Sequence, residues 1–429
     1  MALSNTMRKK MSLAIPVAVI TLAVVYAATF FLLDFLHEGK GFGWDAISYC
    51  ATIDAYWKGL DPYYVKNLEG TNLSYSYAPF TFWLMTPFCF DHFFDRSFRF
   101  FFPALVLMAA LLLAITFVPR SNPRGRWLTA LFVFFGFDGF QWVYRCANLS
   151  VIEGGLMAVA LALLFHAAKN RRDPYAIGAA ALLGFSSAIK ILFCPLLLGL
   201  YLFPASRKTR ILMLGVAGIC FVAPVVAWLL IEPNLFWSWV DCQLGRIPGQ
   251  HSFSKQLCTA TLYCMAHTIG DHLSADKLIA EGIGTLLSGL FLAGVLLPLI
   301  GRIVQIMPKR DGKPLLSRLD RWLMEEPRLA LHLMLLSMLG LALCSPHLKE
   351  YGYFEIVIYA AAMIGNLSIG ETAYVFAIGV ILPLIPCSFT HVKFYSHLLG
   401  GYGQLVSALM VYGFLIYKLP AVARRRRAF

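Results

Sequence analysis

The chain has 429 residues, of which 59% are hydrophobic and only 14% are charged, and its net charge is +13. A soluble globular chain is nearer half apolar and a quarter charged, so a mean hydropathy of +0.69 excludes an ordinary soluble enzyme. The basic residues fall in short clusters between apolar segments, as the positive-inside rule expects, so the charge does not indicate a nucleic-acid partner. We predict an all-α polytopic membrane protein that forms a single transmembrane domain over residues 1–429.

The first apolar segment, residues 13–33, follows the basic run Arg8-Lys9-Lys10. Its apolar stretch is too long for the hydrophobic region of a signal peptide, and no small-residue cleavage site follows. We therefore interpret it as a retained anchor that leaves the N-terminus in the cytoplasm.

A long external segment, residues 34–96, comes next and contains acids, aromatics and turn residues. Within it, residues 80–90 are apolar but short and contain Pro87. We interpret these residues as a re-entrant or interfacial piece rather than a span, because a spanning helix needs about 20 apolar residues.

The later apolar segments alternate in direction between basic clusters. The stretch 175–204 joins two such clusters, so it is predicted to be a hairpin of two short helices with its tip near Lys190. A second external segment covers residues 232–278. About twelve transmembrane helices result, with both termini cytoplasmic; the predicted spans are 13–33, 97–118, 127–144, 149–167, two within 175–204, 211–231, 280–301, 328–344, 354–366, 372–386 and 398–417.

The ten cysteines include no CxxC pair and no spacing typical of a metal site. Most lie in or beside apolar segments, where cysteine behaves as a small hydrophobic residue. Cys242, Cys258 and Cys264 share the second external segment, so two of them could form a disulfide and leave one over.

Unusual polar residues collect on the predicted outer face. Ionisable groups at membrane depth are costly and indicate function by default, and carboxylates among several cations suit an anionic lipid-linked substrate and an acid–base step. Simpler interpretations remain open, since Lys190 could snorkel to the interface and Arg145 could be an interfacial anchor. The set comprises Asp45, Asp54, Asp61, Arg145, Asn148, Lys190, Arg246, His251, Lys255, residues 345–351, His391, Lys393 and His397.

Four sequence elements then occur in a characteristic order. They are Asp45 with Tyr49, Ala51, Gly59, Pro62 and Tyr63; Tyr77-Ala78-Pro79 with Pro87; the turn from Arg145 to Asn148, followed by Lys190 and Pro195; and the run from Ser345 and Pro346 to Tyr353. In this order they resemble the GT-C glycosyltransferases, and within them glycosyltransferase family 87, whose members are polytopic mannosyltransferase-like enzymes that use polyprenyl-phosphate sugars. The usual double proline of the second element lacks its first member.

The resemblance implies an integral plasma (inner) membrane enzyme of the cell envelope, with its active site on the periplasmic or extracellular face. It would transfer a hexose, with mannose suggested by the family, from a polyprenyl-phosphate sugar to a glycolipid or glycan acceptor, with inversion. The family's catalytic aspartate carries over onto Asp45. The substrate and phosphate candidates are Arg145, Asn148, Lys190, His347, Lys349 and Tyr351, and the secondary candidates are Asp54, Tyr49, Tyr77, Arg246 and His251.

Besides membrane lipids and these substrates, we predict no cofactor, no metal and no nucleic-acid partner. The chain has no Walker loop and no dinucleotide fingerprint, which argues against a nucleotide-sugar donor. Two alternatives remain: a lipid or glycan transporter or flippase, and a GT-C enzyme that transfers another sugar. A transporter would more often show matching broken helices in two halves, and the 175–204 hairpin has no evident partner of that kind.

Overall fold

The computed structural model describes residues 5–36, 43–90, 93–247, 261–307, 315–346, 348–384 and 402–424. Every regular element in these ranges is helical, which confirms the all-α prediction for the described part of the chain. The α-helices are α1 (Asn5–Leu36), α2 (Trp44–Trp57), α3 (Thr81–Cys89), α4 (Phe93–Phe117), α5 (Pro123–Phe135), α6 (Gly139–Cys146), α7 (Ser150–Asn170), α8 (Asp173–Ile189), α9 (Arg207–Ile231), α10 (Pro233–Gln243), α11 (Leu262–Leu273), α12 (Lys277–Ile306), α13 (Leu315–Glu325), α14 (Pro327–Leu343), α15 (Tyr353–Ile364), α16 (Ile369–Phe376) and α17 (Gly403–Arg424).

Within the described ranges, four helices are long and apolar enough to cross a membrane: Ser97–Phe117, Ser150–Asn170, Arg207–Ile231 and Lys277–Ile306. The pair α13 and α14, bent by 116°, would count as a fifth if it were one span. These helices support a polytopic membrane protein. They do not confirm the predicted twelve spans, because other apolar helices, including Leu13–Thr29 and Gly403–Leu419, are shorter.

The prediction of a single helix over residues 127–144 is wrong, because the helix is interrupted between α5 and α6. Phe137 and Asp138 have φ angles of 51° and 56° in the short 3-10 turn that separates the two helices, and such left-handed residues end an α-helix. The first residue of α6, Gly139, lies so close to α15 that an added Cβ would be 2.6 Å from the Phe354 amide nitrogen. The break therefore lets α6 pack tightly against the start of α15.

The predicted break at Lys190 is confirmed. Helix α8 ends at Ile189, and a 3-10 segment runs over Ile191–Leu202. Lys190 itself has an extended backbone between the two segments.

Helices α2 and α3 lie in the segment predicted to be external, and a disulfide between Cys50 and Cys89 joins them. Helix α3 has nine residues, about 14 Å at 1.5 Å per residue, which is too short to span and fits the interfacial interpretation. Within the described residues, the structure shows no disulfide between Cys242 and Cys264 of the second external segment. The Cys242 thiol instead donates to the Tyr75 carbonyl at 3.3 Å, and Cys258 lies outside the described residues.

The two ends of the helical bundle differ in charge. Helix α7 runs from Asn148 and Ser150 to the basic cluster at residues 169–172, over 21 residues or about 31 Å. Helix α8 returns from that cluster to Lys190. Helix α15 ends where the Asn122 amide, in the basic loop 120–126, donates to the Gly365 carbonyl at 3.0 Å. Asn148, Ser150 and Lys190 therefore lie at the end of the bundle opposite these basic clusters.

Candidate active site

A cavity of about 310 Å³ lies at the N-terminal end of α2. Its walls come from α2, the loop before α3, α6 with the turn that follows it, and the turn before α15. Six residues singled out from the sequence meet there: Asp45, Tyr49, Tyr77, Asn148, Lys349 and Tyr351.

The start of α2 fixes the position of Asp45. Gly43, with a φ angle of 75°, precedes the helix, and its N–H donates to the Arg145 carbonyl at 2.9 Å. This bond ties the beginning of α2 to the end of α6. Asp45 thus lies in the first turn of α2, where the helix dipole favours a carboxylate.

The competing acid, Asp54, lies on the other side of the same helix. Nine residues separate it from Asp45, and at about 100° per residue this is two and a half turns. The side chain is exposed and does not line the cavity. Helical geometry therefore separates the two acids, and Asp45 is the one that faces the cavity.

Asn148 holds Asp45 in place. Its Nδ2 donates to Asp45 Oδ2 at 2.6 Å and to the Tyr49 hydroxyl at 2.9 Å. Its Oδ1 accepts from the Ser150 amide at 3.0 Å and from the Ser150 hydroxyl at 2.9 Å. The Tyr77 hydroxyl completes this polar floor at 3.2 Å from that of Tyr49.

Burial raises the pKa of Asp45 from its ordinary 3.8 to about 6. The hydrogen bond from Asn148 and the positive charges of Lys349 and Lys190 act in the opposite direction and are outweighed. A carboxyl group that titrates near neutral pH is suited to general base catalysis, because it is ionised at physiological pH yet basic enough to take a proton.

The predicted cations occupy three different positions. Lys349 lines the cavity, with its Nζ 5.8 Å from the ring centroid of Tyr351. Arg145 is exposed and stacks at 5.5 Å on Trp142, whose side chain lines the cavity. Lys190 is buried and does not line the cavity; it lies between Glu153 and Glu355.

Three further predicted site residues lie away from the cavity or outside the described residues. Arg246 is exposed and pairs with Asp241 at 3.4 Å. His251 and His347 lie outside the described residues.

The structure also shows site residues that were not among the named candidates. Trp142, Cys146 and Glu350 line the cavity; Cys146 and Glu350 lie within two of the four sequence elements, and Trp142 lies three residues before Arg145. Glu153 and Glu355 carried a clearer signal, since both are acidic residues in apolar helices, where ionisable groups are rare.

Within the described residues, no group of three or more His, Cys, Asp or Glu side chains is arranged to hold a metal ion. The absence of a metal from the reaction remains a prediction.

The helices and the polar cavity define an integral membrane protein with a carboxylate and an amine facing one chamber. The chain belongs to glycosyltransferase family 87, because the family model matches residues 75–346, more than half of the sequence. It is therefore a glycosyltransferase, which decides against the transporter or flippase alternative. No match was found among curated proteins or solved structures. The family match begins downstream of Asp45, so the argument for that residue depends on the cavity.

Proposed function

We propose that the protein transfers a hexose from a polyprenyl-phosphate sugar to a glycolipid or glycan acceptor, with Asp45 as the general base. One observation carries the proposal: Asp45, with a pKa of about 6, faces the same cavity as the Lys349 ammonium. Transfer of a sugar from a phosphate leaving group requires a base for the acceptor hydroxyl and a cation for the departing phosphate. The resemblance to mannosyltransferase-like enzymes makes mannose the first sugar to test.

The proposed reaction is a single displacement. The acceptor hydroxyl binds Asp45 and its oxygen attacks the anomeric carbon, while the hydroxyl proton passes to Asp45. The bond from the anomeric carbon to the phosphate oxygen breaks, and its electron pair leaves with the lipid phosphate. Because attack and departure take place on opposite faces of the sugar, the anomeric configuration inverts.

The leaving phosphate gains negative charge as the bond breaks, and fixed cations stabilise it. Lys349 supplies a point charge inside the cavity. The Arg145 guanidinium stacks on Trp142, which lines the cavity, and is a second candidate to bind the phosphate oxygens. Within the described residues, neither side chain forms an ion pair. His347 lies two residues before Lys349 in the sequence and is a third candidate for this role.

Two features support placing the site on the outer face of the plasma membrane, with both termini cytoplasmic. The cavity lies at the end of the bundle opposite the basic clusters, which remain on the cytoplasmic side under the positive-inside rule. The Cys50–Cys89 disulfide joins α2, which carries Asp45, to α3, and disulfides persist in oxidising compartments outside the cytoplasm.

The test offers the purified protein in detergent a panel of polyprenyl-phosphate hexoses and, as a control, the matching nucleotide sugars. We expect transfer or slow hydrolysis with a lipid-linked donor and a product of inverted anomeric configuration. The value of kcat/KM should rise with pH through about 6, because Asp45 is a base only after it loses its proton. Turnover of nucleotide sugars alone, or of no donor at all, would overturn the proposal.

A further inference from the structure

A buried ionic cluster lies directly behind the cavity. Lys190 Nζ is 2.8 Å from Glu355 Oε1 and 3.2 Å from Glu153 Oε2. Both glutamates are fully buried, and they come from different helices, α15 and α7. Such a cluster is costly to assemble because burying charge carries a desolvation penalty, and its position beneath the cavity suggests a use beyond stability.

Lys190 contacts the supports of two cavity walls. Its ammonium donates a hydrogen bond to the Ser150 hydroxyl, and Ser150 in turn holds Asn148. The same ammonium lies 5.1 Å from the ring centroid of Tyr351, which lines the cavity. One buried cation therefore touches groups from two separate elements that shape the surroundings of Asp45.

The chemistry of these groups fixes the direction of every hydrogen bond. An ammonium group only donates, so the Ser150 hydroxyl must accept from Lys190. That hydroxyl has a single proton of its own, and it donates this proton to Asn148 Oδ1. With Oδ1 held by two donors from Ser150, the Asn148 amide must present its Nδ2 protons to Asp45 and Tyr49.

We propose that Lys190, held by Glu153 and Glu355, is a positioning residue that acts through Ser150 to orient the Asn148 amide toward Asp45. This role differs from the phosphate contact that the sequence predicted for Lys190. A correctly oriented amide stabilises the ionised form of Asp45 and leaves its second oxygen for the acceptor. The inference rests on the proposed function of Asp45 as the base.

Other groups around Asp45 remain in place in this scheme. The titratable neighbours besides the cluster are Tyr49, Tyr77, Cys146, Lys349, Glu350 and Tyr351. Burial raises the pKa of the Tyr49 and Tyr351 phenols well above their ordinary value, so both stay neutral. A substitution at Ser150 leaves the Lys349 side chain unchanged, which isolates the contribution of the Lys190–Ser150–Asn148 chain.

The test is the substitution Ser150→Ala, which removes the relay hydroxyl and leaves the Lys190 ion pairs intact. The acid limb of the pH profile is the part in which kcat/KM rises as Asp45 loses its proton. We expect the midpoint of this limb to shift to higher pH by about one unit, because Asn148 is held less firmly and stabilises ionised Asp45 less. At pH 6 this corresponds to a loss of about 5-fold, because the ionised fraction of Asp45 falls from about one half to about one eleventh. Ser150→Thr, which keeps the hydroxyl, should restore the wild-type acid limb.

Ser407→Ala is the matched control. Ser407 is also a fully buried serine, but its hydroxyl donates to the Ile378 carbonyl at 2.6 Å and it does not line the cavity. The Ser407→Ala substitution should lower the melting temperature without shifting the acid limb of kcat/KM. An acid limb that stays in place in Ser150→Ala would overturn the inference, even if the melting temperature falls.

The two proposals fail in different ways. If the wild-type protein transfers sugar with an acid limb that Asp45→Asn abolishes, the proposed function stands whatever Ser150→Ala does. If Ser150→Thr folds but shifts the acid limb as much as Ser150→Ala, the hydroxyl is not the link and the positioning role is wrong.

Discussion

Two buried cations, Lys190 and Arg210, lie at opposite ends of the bundle and do different work. Both are held by acidic side chains: Lys190 by Glu153 and Glu355, and Arg210 by Asp320. Arg210 also donates to the Tyr201 carbonyl at 2.9 Å and stacks on the Tyr201 ring at 4.9 Å. Its remaining contacts therefore end on the protein's own backbone and on an aromatic ring.

The difference lies in what the spare donor of each cation touches. The Lys190 ammonium donates to Glu355 and also to Ser150, from which the hydrogen bonds continue to Asn148 and Asp45. The donors of Arg210 hold α13, the short helix that meets α14 at 116°. The same kind of buried ion pair therefore supports the chemistry in one place and anchors a helix in the other.

The substitution Lys190→Met should have the larger effect of the two. It leaves two fully buried carboxylates without their cation, which costs about 3–5 kcal/mol of unfolding free energy. It should also shift the acid limb of kcat/KM to higher pH, because the Ser150 hydroxyl is free to turn away from Asn148. Thermal unfolding in detergent and the pH profile of the surviving activity measure both effects.

If Lys190→Met leaves the acid limb unchanged, Lys190 has only a structural role, as Arg210 does, and the proposed difference between the two cations is wrong. If Lys190→Met does not fold, Glu153→Gln offers a milder change, since it removes one charge from the cluster and keeps the shape. Its acid limb should not move to higher pH, because Lys190 keeps its charge and its hydrogen bond to Ser150 while a negative charge is lost.

The substitution Arg210→Met should have the smaller effect. The Asp320 side chain is 18% exposed and can be solvated when its partner is lost, so we expect about 1–3 kcal/mol of destabilisation. The acid limb of kcat/KM should stay where it is, because no hydrogen bond described for Arg210 leads to the cavity. A shift of that limb would mean that the two ends of the bundle are coupled.

Much of this arrangement was predictable from the sequence because composition, apolar length and charge placement are local properties. The all-α fold and the helix break at Lys190 followed from the lengths of the apolar segments and the placement of the charges. The cavity-facing position of Asp45 agrees with the motif that singled it out over Asp54, and the structure adds the reason, which is that the two acids lie on opposite faces of α2.

Other features depend on contacts between distant residues, which a single sequence does not reveal. The break between α5 and α6 follows from left-handed residues and from the close approach of Gly139 to α15. The Cys50–Cys89 disulfide requires α2 and α3 to fold back on each other. The sequence placed Lys190 at a helix break but could not show that two glutamates from other helices neutralise its charge.

The most direct test of the central claim compares sugar transfer by Asp45→Asn and Asp54→Asn, two changes of the same kind on opposite faces of α2. With the donor found in the panel, Asp45→Asn should lose at least about 100-fold in kcat, the lower range for a general base. Its melting temperature at pH 7.5 should be no lower than that of the wild type. A carboxyl group whose pKa is raised by folding destabilises the folded state when it is ionised, and the asparagine removes that charge. Asp54→Asn should keep wild-type kcat. Full activity in Asp45→Asn, or equal losses in both variants, would contradict the assignment of Asp45 as the base.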